Sequence, residues 1–155
     1  MAVVCVPEAA GLEVLLIRRA EREGDPWSGQ MGLPGGHRED ADHDLLHTAI
    51  RETEEELGFD LRLARSLGML EDLRPVIRPM AVRPYVFGLD TRPRLVPGPE
   101  VSRVVWARLD DLARSTSTTE VFHHGEWRTM PCYRIGADIV WGMTYRVLQP
   151  LVAAL

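Results

Sequence analysis

The sequence predicts an α/β (α+β) fold, an α/β/α sandwich with a mixed central sheet between helices. Three observations predict it. Strand-like segments come first, then a helix, then more strands, then a closing helix, an order that lays helices over both faces of a sheet. Val14-Leu15-Leu16-Ile17 is an unbroken apolar run, as in a strand buried on both sides. Residues 42–57 carry apolar side chains at three- and four-residue steps, the stripe of an amphipathic helix.

The elements follow in order. Residues 2–7 and 13–19 read as two strands around a turn at 8–11. Residues 20–36 form a loop rich in glycine, with Pro26 and Pro34, and loops of that length are often functional. The helix at 42–57 has Asp40 or Asp42 to cap its start and Gly58 where a left-handed stop is needed. Leu46, Ala49, Ile50, Thr53 and Leu57 form its buried stripe. Residues 61–70, 81–89 and 101–108 read as strands. Residues 121–123 and 127–135 read as a hairpin around 124–126, and 139–151 as a helix with Val140, Met143, Val147 and Leu151 inward.

At 155 residues the chain is expected to be one domain, residues 1–155. No apolar run approaches the roughly 20 residues of a membrane helix, and residues 1–7 lack a basic leader region, so a cytoplasmic protein with no membrane partner is expected. A net charge of −5 argues against a broad nucleic-acid footprint, though not against a small anionic substrate. Cys5 and Cys132 sit in no zinc-like spacing and read as buried thiols. All eighteen basic residues are arginine. The absence of lysine excludes a Walker-type phosphate loop, a Schiff-base aldolase and a pyridoxal-phosphate enzyme.

The chemistry concentrates in Arg51-Glu52-Thr53-Glu54-Glu55-Glu56-Leu57-Gly58-Phe59. At about 100° per residue, Glu52, Glu55 and Glu56 fall within an arc of roughly 100° beside the apolar stripe. Three carboxylates in one arc repel one another, and a divalent cation resolves the conflict; hard oxygen ligands suit Mg²⁺ or Mn²⁺. A solvated acidic face is the plain alternative for any Glu-rich helix. The preceding Gly32-Leu33-Pro34-Gly35-Gly36 tips the balance, because glycines let backbone approach a ligand closely.

Together these segments resemble the Nudix hydrolase family, whose box runs G-x5-E-x7-R-E-U-x-E-E-x-G-U, with U bulky and apolar. One extra residue in this chain brings Gly36 to the first glycine and Asp42 to the first acid; Thr53 stands at an aliphatic position. Residues 29–36 and 139–146 look like the coenzyme A pyrophosphatase branch. That branch carries an arginine just upstream of the loop glycine, about where Asp25 stands here. The resemblance implies hydrolysis of a nucleoside diphosphate linked to X, with a coenzyme A or ADP-linked substrate favoured. Nucleoside triphosphate cleavage and a non-catalytic nucleotide-binding module are the alternatives.

The resemblance also assigns residues. Glu52, Glu55 and Glu56 are matched to the metals, with Gly36 offering backbone. Arg51 is expected to pair with one of these glutamates and fix its rotamer. Asp42 is expected to cap the helix, or to act as an outer metal ligand. Glu100 matches a place for an extra acidic ligand or base, or is a plain loop carboxylate. The base is left open among Glu55, Glu120, His123 and His124. Trp27, Tyr85 and Phe122 are candidates to stack a base, and Arg18, Arg38 and Arg78 to grip phosphate. His37, His43 and His47 lack zinc spacing and read as surface or helix residues. The expected partner is a small nucleotide, with room for a homodimer that completes the pocket.

Overall fold

A computed structural model of the chain describes residues 1–25, 27–74, 80–123 and 125–155. β1 (Ala2–Glu8) and β2 (Gly11–Arg19) form an antiparallel hairpin whose last pair is Glu8 opposite Gly11. β3 (Met31–Gly32) and β6 (Val101–Arg108) both pair antiparallel with β2. β5 (Tyr85–Gly88) runs parallel to β1, and β4 (Arg65–Met69) runs antiparallel to β5. The six strands make one mixed sheet in the order β3-β2-β1-β5-β4, with β6 on β2.

Strand alternation sorts the core into two layers. Val14 and Leu16 face one side, packed with Leu109 and Leu112 of α2 (Leu109–Arg114) and Val147 and Leu148 of α3 (Gly142–Ala153). Leu15 and Ile17 face the other, packed with Ala49 and Leu57 of α1 (Leu45–Leu57). Leu16 is fully buried, so truncation to alanine there would cost about 2–5 kcal/mol. Thr53 is buried within α1, and its hydroxyl donates to the Ala49 carbonyl at 2.7 Å, which lets a polar residue occupy an apolar stripe.

The expected single sheet is two. β7 (Ser117–His123), β8 (Glu126–Ile135) and β9 (Asp138–Trp141) form a separate antiparallel sheet. Asp138 joins the two: its side chain, 14% exposed, meets the guanidinium of Arg103 on β6 and lies 3.7 Å from that of Arg18 on β2.

Several expected boundaries move. Residues 139–141 belong to β9 rather than to the last helix, because they pair back with residues 132–134 of β8. Residues 61–63 form a 3-10 turn, since the Asp60 side chain accepts from the Arg62 backbone N–H. Residues 81–84 do not join β5: Pro84 has no N–H to extend the ladder, and Val82 instead bridges to Leu73. The short helix α2 and the two-residue β3 were not expected. The first has too few residues to show a period, and the second is embedded in the glycine-rich loop.

Candidate active site

The site is built where α1 passes the Gly35–Gly36 loop. Gly35 adopts φ +139°, and a Cβ there would lie 2.7 Å from the Met1 Cα. Gly36 is constrained by space: a Cβ would sit 2.4–2.5 Å from the Glu52 carboxylate. Both glycines are therefore required, one by conformation and packing, the other by the acid beside it. The Gly35 N–H donates to Glu56 Oε2 at 2.9 Å. On the far side, the C-terminal end of α1 is tied to residues 96–98. Val96 N–H donates to the Leu57 carbonyl and Gly98 N–H to the Glu56 carbonyl, at 2.8 and 2.9 Å. Ala20 N–H then fixes the Glu100 carbonyl at 2.8 Å, which brings Glu100 to the same cleft.

The cleft has a volume of about 580 Å³. Glu52, Glu56, Glu100 and Arg19 line it together with Gly36, Trp27 and Trp141. Glu56 is only 5% exposed. Burial pushes its carboxyl up to about 7, aided by Glu52 and Glu100 and opposed by the Gly35 N–H and Arg19. Burial also raises Glu52, against the pull of Arg51. Two acids held with raised proton affinity in one cleft are groups that a cation would relieve. Among the described residues no three His, Cys, Asp or Glu side chains are gathered closely enough to hold a metal ion by themselves. Glu52 and Glu56, beside exposed backbone at Gly36, nonetheless suit a hard divalent cation that binds through one or two carboxylates and takes its other oxygens from water and phosphate.

Arg51 organises the acids. Its Nη2 lies 3.0 Å from Glu52 Oε1 and donates to Asp42 Oδ2 at 3.0 Å; its Nη1 donates to Glu55 Oε2 at 3.1 Å. Glu55 is thereby held at the rim, 59% exposed on its side chain, and is not among the described residues that line the cleft. Asp42 does not cap α1. Asp44 does, its side chain accepting from the His47 N–H at 2.8 Å. Asp42 is instead buried, accepting from Arg51 Nε and Nη2, the Thr48 hydroxyl at 2.9 Å and the Glu39 N–H at 3.0 Å. These donors, the Arg51 guanidinium first, hold its carboxyl well below the usual carboxylate range.

Other expected residues lie elsewhere. Tyr85 packs in the apolar layer beneath α1 and is not among the cleft residues. Arg38 spends its guanidinium on the carbonyls of Asp42 and His43. Arg18 points to the opposite sheet face, donating to the Gly29 carbonyl and lying near Asp138. Phe122 is 60% exposed against Trp127 on the hairpin. Glu120 accepts from the Thr129 hydroxyl on the same hairpin and lines no part of the cleft. Arg78 and His124 lie outside the described residues, as does the side chain of His123.

Among the cleft residues that sequence reading missed are Arg19 and Trp141, and His37, read as a surface or helix residue, also lines the cleft. Arg19 sits one residue from Arg18 and so on the α1 face; the parity of Leu15 and Ile17 would have found it. Its Nη2 lies 3.1 Å from Asp25, and its buried Nε has no hydrogen-bond partner among the described residues. Trp141 stands 6.5 Å from Trp27, ring centre to ring centre, tilted by 41°. Reading residues 139–141 as helix concealed its place at a strand end.

The NUDIX domain family model matches residues 1–129. The chain belongs to the NUDIX domain family. This NUDIX domain is 34% identical over 154 residues to the human protein named mitochondrial coenzyme A diphosphatase NUDT8, covering 92% of this chain and 64% of that one. It is 47% identical over 70 residues to the uncharacterized protein C14C4.10c of Schizosaccharomyces pombe, covering 44% of this chain and 21% of that one. The chain thus spans less than two thirds of the length of either relative. In fold, it matches the crystal structure of a C. elegans Ap4A hydrolase binary complex with a TM-score of 0.60 at 23% identity, over 73% of this chain and 81% of that one.

Proposed function

We propose that the chain is a Mg²⁺- or Mn²⁺-dependent pyrophosphohydrolase that cleaves the diphosphate of a nucleoside diphosphate linked to X, with coenzyme A or an ADP-linked cofactor as substrate. The observation that carries this is the pair Glu52 and Glu56, one of them buried with its carboxyl raised to about 7, facing a cleft also lined by Arg19 and two tryptophans. A bound divalent ion would supply neutralisation of charge on the phosphate oxygens. Glu52 and Glu56, with backbone at Gly36, would hold it, and Glu55 would join by leaving Arg51.

The chain's own groups do the rest. Arg51, anchored by Asp42, fixes Glu52 and gives Glu55 a resting position. Glu100 faces the same cleft outside the buried pair, and we assign it the proton of the attacking water. Water adds to one phosphorus, the bridging P–O bond breaks, and the other phosphate departs with the electron pair. Arg19, which lines the cleft, serves phosphate oxygen, and Trp27 with Trp141 stacks the base. The human relative is named as mitochondrial; we place this chain in the cytoplasm, acting on small nucleotides rather than nucleic acid or membranes.

The test is a substrate panel of coenzyme A, ADP-ribose, NADH and nucleoside triphosphates with purified protein and either metal. Cleavage of coenzyme A or an ADP-linked cofactor at the diphosphate is expected. A preference for triphosphates would overturn the substrate assignment, and binding without any product would make the chain a nucleotide-binding module.

A further inference from the structure

The loop between β2 and β3 sets one carboxylate between two parts of the cleft. Asp25 lines the cleft with its side chain 20% exposed. Its Oδ1 accepts from the Trp27 backbone N–H at 2.9 Å, and its Oδ2 accepts from Arg19 Nη2 at 3.1 Å. These donors, the Trp27 N–H first, hold the carboxyl below its ordinary range, so it is ionised at neutral pH. The loop is pinned around it: the Ser28 N–H donates to the Asp25 carbonyl and the Arg19 N–H to the Gln30 carbonyl, both at 3.0 Å. Among the described residues that line the cleft, Arg19 is the sole guanidinium, against the carboxylates of Asp25, Glu39, Glu52, Glu56 and Glu100. Arg22, close enough to act on Asp25, lies 3.0 Å from Glu100 Oε1.

We propose that Asp25 is a specificity residue of this site: it accepts hydrogen bonds from a nucleoside whose ribose hydroxyls are free, and turns away one whose ribose carries an additional phosphate. The inference rests on the pyrophosphohydrolase reading and divides the substrates it allows. Coenzyme A bears such a phosphate, whereas ADP-ribose and NADH do not. In any nucleotide the ribose joins the base to the diphosphate. Here the base is assigned to Trp27 and Trp141, and the diphosphate to Arg19. Asp25 is hydrogen-bonded to Trp27 and to Arg19, so it stands beside the path of the ribose between them. Each of its oxygens has one acceptor position in use and another left for a hydroxyl. A ribose phosphate would instead bring negative charge to a carboxylate that already neutralises Arg19. Its desolvation would go uncompensated, and the like charges would repel.

Matched pairs test this: NADH with NADPH, and 3′-dephospho-coenzyme A with coenzyme A, the members of each pair differing by a single ribose phosphate. Turnover with Mn²⁺ and calorimetric binding to metal-free protein are read for all of them. In the native protein the member without that phosphate should be favoured at least about tenfold in kcat/KM, mainly through KM, and in affinity, and added salt should shrink the preference. Asp25→Asn keeps the size and an acceptor oxygen but removes the charge, and should cut the preference at least about threefold. Glu21→Gln removes a charge from the same loop, at a side chain 79% exposed and not among the described cleft residues, and should keep the native preference. A native preference that is absent or reversed, or one undiminished in folded Asp25→Asn protein, would overturn the proposal. A difference in affinity without hydrolysis would refute the hydrolase reading alone. Hydrolysis without a preference would refute the Asp25 assignment alone, and absence of both binding and turnover would refute both.

Discussion

Glu56→Gln removes a charge while keeping the shape and an acceptor for the Gly35 N–H. In the native protein the Glu56 carboxyl sits at about 7 against an ordinary 4.5, chiefly through burial. A difference of that size corresponds to at most roughly 3 kcal/mol of folding free energy. The sign follows from proton counts. Between the two values the folded chain keeps this proton and the unfolded chain has lost it, so the metal-free fold loses stability as pH rises through that window. The contribution is fully present below about 4.5 and gone above about 7. Glutamine has no proton to lose. Thermal melts in chelator should therefore nearly coincide at the acid end, while toward pH 8 the variant melts higher by up to about 6–12 °C, at roughly 2–4 °C per kcal/mol for a chain of this length. Mn²⁺ should raise the native melting temperature at pH 8 and raise that of the variant far less, and hydrolysis should fall at least about a hundredfold. An offset between the melts that does not change with pH would refute the assignment of a buried titrating acid. Undiminished turnover would refute its place at the ion.

Asp42→Asn keeps the size of the side chain but releases Arg51; kcat should drop at least about tenfold while KM changes little, and a urea midpoint lower than native at pH 7 but converging with it in acid would show that the lost interaction was ionic. Gly36→Ala puts a methyl against the Glu52 carboxylate, so the Mn²⁺-induced rise in melting temperature should shrink sharply, as read by thermal shift. Trp141→Ala should raise KM for adenine substrates about fivefold or more, from loss of base stacking worth about 1–3 kcal/mol, with kcat much less affected; steady-state kinetics against an ADP ester decides it.

Much of the fold was legible because its signals are local. The Val14–Ile17 run, the α1 stripe and Gly58 each act within a few residues of themselves, and each stands where the sequence places it. Errors arose where tertiary pairing decides. Residues 139–141 are apolar enough for either period, and only β8 alongside makes them a strand. The sequence reading offered Asp40 or Asp42 as the cap; the Arg51 guanidinium, nine residues from Asp42, takes that carboxylate, and Asp44 caps α1 instead. At the site, the loop glycines, Glu52 and Glu56 could be placed at the cleft from the sequence, whereas Glu55 lies at its rim. Arg19 required strand parity, and Trp141 required a sheet that no short window reveals. Tyr85 was misjudged because an aromatic in a strand looks the same whether it meets a base or the underside of a helix.

The carboxylate of Asp138 reaches from β9 to arginines on β2 and β6, three residues before Trp141. It works as a caliper pin. Trp141 rides on one sheet and the acidic jaw on a helix bedded against the other, so this anchor helps to set the gape between them. Changing it would alter which molecules are admitted without altering any group that touches them.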